Sequence, residues 1–139
     1  MIRRRLIAAS LLFALAGSAK AAGSEPGQVG QYVDLQPVGL PVVARGQLLN
    51  YVFVYVRVNL AAGADVSRLR DKEPYFRDAL VRMAHRTPFT VPGDYNRIDE
   101  AKLTAALTRE ASAIVGAGAI RSVVVSSQAP QHRVANPKS

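Results

Sequence analysis

The chain has 139 residues, 49% of them hydrophobic, with no cysteine and a formal net charge of +8. Without cysteine it forms no disulfide, runs no thiol chemistry and offers no thiolate to a metal, so its fold must rest on an apolar core. This length predicts one domain.

Arg3, Arg4 and Arg5 begin the chain, an apolar run covers 6–16, and Ala19-Lys20-Ala21 places small residues where a signal peptidase cuts. That order predicts a secretory signal peptide over 1–21. The apolar run is shorter than the ~20 residues that a bilayer span requires. An uncleaved anchor is the alternative, and only then would the protein be held at the inner membrane. The expected location is the periplasm. Four of the 18 basic residues (Arg3, Arg4, Arg5, Lys20) precede the cut, leaving 14 against 10 acidic residues and a net charge of +4. The remaining arginines are spread from Arg45 to Arg133 without a dense block. Nucleic-acid binders gather positive charge on one face, so nucleic acid is not an expected partner.

Residues 22–30 carry Gly, Ser and Pro without apolar period and read as a flexible lead-in; 129–139, with Pro130 and Pro137, read as a flexible tail. The folded domain is expected over 31–128. Its first element, 31–44, is interrupted by Pro37 and Pro41, which suits an edge strand or a bent one. Arg45-Gly46-Gln47 then turns the chain into 48–60. There Leu48, Val52, Val54, Val56, Val58 and Leu60 share one face with Asn50, while Leu49, Tyr51, Phe53, Tyr55, Arg57 and Asn59 share the other. This alternation predicts a long strand forming a hairpin with the first. The Tyr/Phe row reads as a second packed face under a helix, with a ligand shelf as the alternative.

Asp65 caps a short helical turn through Leu69. A longer helix is expected from Pro74 with Glu73 as its cap, burying Phe76, Ala79, Leu80 and Met83. Glu73–Arg77 and Asp78–Arg82 are spaced as i, i+4 ion pairs. Pro88 ends this helix near Arg86. A loop over 87–95, turning at Pro92-Gly93, leads to a second helix over 97–115. Asn96 is its expected cap and Leu103, Leu107, Ala111 and Ile114 its buried side. Gly116 and Gly118 end it, and Val123-Val124-Val125 centres a last strand over 120–128. The order β-β-α-α-β predicts an α+β fold: two main helices packed on one face of a small, mainly antiparallel sheet.

Residues able to do chemistry are few. His85 falls on the polar side of the first long helix and His132 in the tail, neither with a partner at metal-ligand spacing. No serine stands in a nucleophile motif. Asp71, Glu73, Asp99 and Glu100 sit at helix starts, where capping and the helix dipole account for them. Gly116-Ala117-Gly118 lies between a helix and a strand, the wrong order for a phosphate loop. The expectation is a protein that is not an enzyme, with no catalytic, cofactor-binding or metal-binding residue and no cofactor.

The long strand ends in Val58-Asn59-Leu60. A helix start, Pro74-Tyr75-Phe76-Arg77-Asp78-Ala79-Leu80, follows, then a Thr-Pro loop with Gly93, an amphipathic helix and Val123-Val124-Val125. In this arrangement the chain resembles the periplasmic domain of FliL, the flagellar basal-body-associated protein, over about 32–128. The resemblance implies a stomatin/SPFH-like α+β fold and a non-enzymatic role in motility. It also implies protein partners among flagellar basal-body or stator components, and homo-oligomers. The chain departs from the family at its N-terminus, where FliL proteins usually keep a transmembrane helix. A periplasmic binding or scaffolding module unrelated to flagella is the alternative. The working surface is expected at strand edges and along Arg77, Arg82 and Arg86, for which a solvated helix face is the rival reading.

Overall fold

The computed structural model describes residues 31–137. The expected signal peptide (1–21) and lead-in (22–30) lie outside the described residues. Within them, strands β1 (Tyr32–Asp34), β2 (Val38–Ala44) and β3 (Gln47–Leu60) are followed by helices α1 (Val66–Arg70) and α2 (Glu73–Arg86). A small hairpin of β4 (Thr90–Val91) and β5 (Asp94–Ile98) comes next, then α3 (Glu100–Val115) and β6 (Ile120–Pro130). The architecture is α+β.

β3 is the centre of the sheet. β1 and β2 run antiparallel along one of its edges, Val33 facing Val58 and Leu40 facing Val52. β6 runs antiparallel along the other, with Val58 opposite Val123 and Phe53 opposite Ala129. The expected first strand is thus two strands in line, separated where Pro37 cannot donate to the ladder. The hairpin loop is only Arg45-Gly46, both at positive φ (54° and 75°). That pairing of left-handed residues matches the twist of a two-residue hairpin, and Gly46 accommodates it without strain. β3 therefore begins at Gln47, one residue before its expected start.

The core lies between the sheet and the helices. Val52, Val54, Val56, Val58 and Leu60 of β3 meet Leu69 of α1, Phe76 and Leu80 of α2, and Leu103 and Leu107 of α3 in one cluster. Each fully buried side chain of this kind contributes about 1.5–3 kcal/mol. Both main helices pack on this one face. Leu48, assigned by alternation to the same face, is instead 53% exposed. The register shifts just there, between Val42/Val43 of β2, leaving Leu48 opposite Val43 and beyond the helices.

Helix starts differ slightly from the sequence reading. α2 begins at Glu73, with Lys72 at the cap position and no side-chain cap bond. Glu73 serves other partners: its carboxylate accepts from Gln36 N at 2.8 Å and from Arg77. α3 is capped by Asp99, whose side chain accepts from Lys102 N at 3.1 Å, and not by Asn96. Arg97 and Ile98 belong to β5, because Ile98 is drawn fully into the core. Asp65 caps α1 as expected, accepting from Arg68 N.

The C-terminal stretch departs furthest from expectation. Ala129 and Pro130, read as the start of a flexible tail, complete β6. Beyond them Gln131 N donates to Tyr51 O, Asn50 Nδ2 donates to His132 O, and Asn96 brackets Val134 with two hydrogen bonds of 2.8 and 2.9 Å. Asn136 Oδ1 accepts from Tyr95 N. Side-chain amides of Asn50, Asn96 and Asn136 supply most of these contacts, and they leave no periodic trace in a sequence.

Candidate functional site

The three helices lie between β3 and β6 in the chain and pack on the same side of the sheet, so among the described residues the opposite face is left bare. No helix among the described residues covers it. Tyr51, Phe53 and Tyr55 form a row down its middle, and Phe53 and Tyr55 remain 40% and 45% exposed. The expectation of a second packed face under a helix is therefore corrected. Alternation shows that a strand has two distinct faces, but it does not say which of them is covered.

Neighbouring strands extend the surface. Gly39 lies opposite Phe53, and a Cβ there would sit 3.2 Å from Phe53 Cε1, so the glycine leaves room for the ring to lie across β2. On the other side Ala129 faces Phe53, Ser127 faces Tyr55 and the exposed Val124 faces Arg57. At the far end Arg57 makes a two-pronged ion pair with Asp34 at 2.7 and 3.0 Å and stacks 3.7 Å over the Tyr32 ring. The hydrogen bond to Asp34 raises the Arg57 guanidinium above its ordinary range, against the opposing effect of burial and with help from the Asp34 charge. Asn59 Nδ2 donates to Ser122 Oγ at 3.0 Å. The surface is an aromatic centre with a polar, fixed margin, the composition that protein interfaces favour.

The two sheet edges are unlike. Along β1 and β2, Pro37 and Pro41 remove donors, and side chains occupy other groups. Thr90 Oγ1 accepts from Val43 N and donates to Val43 O, and Arg70 Nε donates to Tyr32 O. Such devices block strand addition. β6 has no strand on its outer edge among the described residues. Val123-Val124-Val125 lies in its middle, and its sole charge is Arg121.

The residues weighed in the sequence fall elsewhere. His85 is exposed on α2, its Nδ1 2.9 Å from the Val81 carbonyl oxygen, a bond made when that nitrogen carries the proton. His132 contributes its backbone oxygen to Asn50. Arg77 and Arg82 are engaged by Glu73 and Asp78 as the i, i+4 spacing predicts, at 3.1 and 2.9 Å. Only Arg86 of that row makes no ion pair among the described residues. Asp99 caps a helix, and Glu100 accepts from Gln128 Nε2. Among the described residues no group of three or more His, Asp or Glu side chains is placed to hold a metal ion, and no helix is long and apolar enough to cross a membrane.

No family model matches the chain, and no curated protein matches it.

Proposed function

We propose that the protein is a non-enzymatic, exported docking module that binds a protein partner on the bare face of its sheet. The observation carrying this reading is the Tyr51–Phe53–Tyr55 row, exposed at Phe53 and Tyr55 on the central strand of the sheet. Contiguous apolar surface of this kind marks interaction sites more often than chance exposure does. Phe and Tyr bring large contact area at low entropic cost. The resemblance to FliL supplies the partner class: components of the flagellar basal body or stator, with a role in motility. The signal-like N-terminus supports action in the periplasm.

The test uses a deletion strain complemented with wild type or with Phe53→Ser/Tyr55→Ser. Impaired swimming in the deletion, restored by wild type and not by the double variant at equal protein level, is the expected result. Full swimming and swarming without the protein would reject the flagellar role. A photo-crosslinking residue at position 53 then separates the two parts of the reading. Capture of a non-flagellar envelope protein keeps the docking face and replaces the partner, giving the binding module unrelated to motility.

A further inference from the structure

A groove of about 430 Å³ opens between the end of α2 and the middle of α3, on the side of the molecule away from the bare sheet face. Its α3 wall comes from one helical stripe: Lys102, Ala105, Ala106, Arg109 and Glu110, at i, i+3, i+4, i+7 and i+8. The two alanines make the hollow. Lys102 and Arg109 stand at its ends, their Cα atoms separated by about 10 Å along the axis at the ordinary helical rise. The opposite wall comes from the last turn of α2 and the segment after it, with Met83, Arg86, Pro88 and Phe89. Phe89 and Ala106 are buried and give an apolar floor.

Charge distinguishes this groove from the outer side of α2. On α2, Arg77 and Arg82 each meet a carboxylate one turn away. Of the α3 cations, Arg109 has only alanines four residues away, Ala105 and Ala113, while the Asp99 carboxylate three residues before Lys102 is held by the Lys102 backbone N at 3.1 Å. Among the described residues Arg86, Lys102 and Arg109 form no ion pair. Three cations and one carboxylate, Glu110, thus surround a hollow with an apolar floor, of a size that accepts a small molecule.

We propose that this groove binds a small organic anion with an apolar body. A carboxylate or phosphate head is held by Lys102 and Arg86, with Arg109 adding charge at the far end, and a short hydrocarbon body lies on Ala105, Ala106 and Phe89. Arginine and lysine bind such heads through charge-assisted hydrogen bonds, which strengthen next to an apolar wall. Glu110 opposes the anion and keeps the head toward Lys102. This site is independent of the sheet face, so its failure leaves the docking function standing.

The protein recovered from cells is titrated with octanoate and octyl phosphate, with octanol as the uncharged control, while backbone amide shifts are followed by NMR. The expected result is saturable binding of both anions, with shifts centred on 86–89 and 102–110, and at least tenfold weaker binding of octanol. Lys102→Ala weakens octanoate binding about tenfold. Ala105→Leu blocks the hollow without changing charge and also weakens it, whereas Glu110→Gln tightens it. All three positions are on the helix surface or its rim, and an unchanged unfolding midpoint confirms that each variant folds. Sedimentation with phosphatidylglycerol vesicles identifies the source of the head. Binding competed by octanoate points to a lipid, and octanoate binding without sedimentation points to a free anion. Absence of saturable binding by either anion, or equal binding of octanol, overturns the proposal.

Discussion

Asn50 Nδ2 donates to the His132 carbonyl oxygen at 2.9 Å, joining residues 82 positions apart. The same amide donates to Tyr95 O at 3.2 Å, and its Oδ1 accepts from Tyr51 N at 2.9 Å. Asn50 is only 3% exposed, yet both donors of its amide and one lone pair of its oxygen are engaged, tying β3 to β5 and to the C-terminal stretch. A buried amide so satisfied fixes register, and its removal strands the carbonyls it served. Asn50→Ala is expected to destabilise the protein by about 1–3 kcal/mol in urea unfolding. Truncation after Pro130 should cost part of the same energy, so the double variant falls short of the sum of the two. Full additivity would show that the amide and the C-terminal stretch act separately.

Asp99 takes the capping role that spacing gives to Asn96, while Asn96 holds Val134, and mutation separates the two. Asp99→Ala removes the cap of α3 and is expected to cost about 0.5–2 kcal/mol. Asn96→Ala leaves the helix capped but releases Val134, and hydrogen exchange should accelerate in 131–137 while α3 stays protected. Equal loss of α3 protection in both variants would restore Asn96 as the cap.

Gly39 and Phe53 give a prediction about the shape of the bare face. Alanine at 39 would press its Cβ on the Phe53 ring, which is half exposed and free to turn aside. Gly39→Ala is therefore expected to change stability by less than about 1 kcal/mol, since lost ring contact is offset by reduced freedom of the unfolded chain. The ring resonances of Phe53 should nonetheless move, and partner capture should fall. Unmoved resonances would show that the ring does not lie over β2.

The Arg57–Asp34 pair is close but open to solvent, with side chains 39% and 53% exposed. Asp34→Asn should cost less than about 1 kcal/mol, and most of that difference should vanish in molar salt. Arg57→Ala should cost more, because it also uncovers Tyr32. Equal effects at low salt would assign the whole contribution to the ion pair.

These residues also mark how far the fold was legible in the chain. Alternation in 48–60, prolines at 37 and 41, and the stripe Phe76–Ala79–Leu80 announced strands, an interrupted edge and a helix, because each is a local periodic signal. The α+β class followed from their order. The small β4–β5 hairpin leaves no sequence signal of its own, because two strands of two and five residues around Pro92-Gly93 resemble a plain loop. The bare sheet face entered only as the lesser reading of the Tyr/Phe row, and the groove was not legible at all. Both depend on which side the helices choose and on alanines whose smallness matters only once α2 lies opposite.

The placement of β3 has a consequence for how the chain reaches its folded state. Its first edge closes locally, through a two-residue loop, as soon as Gln47–Leu60 is available. Its second edge must wait for β6, whose pairing begins with Leu60↔Ile120 and reaches Val52↔Pro130. Until three helices have been made and β6 arrives, a Val/Tyr-rich strand offers an unfilled ladder to any passing chain. Contacts this distant in sequence form slowly, and that interval is when the protein is most exposed to aggregation.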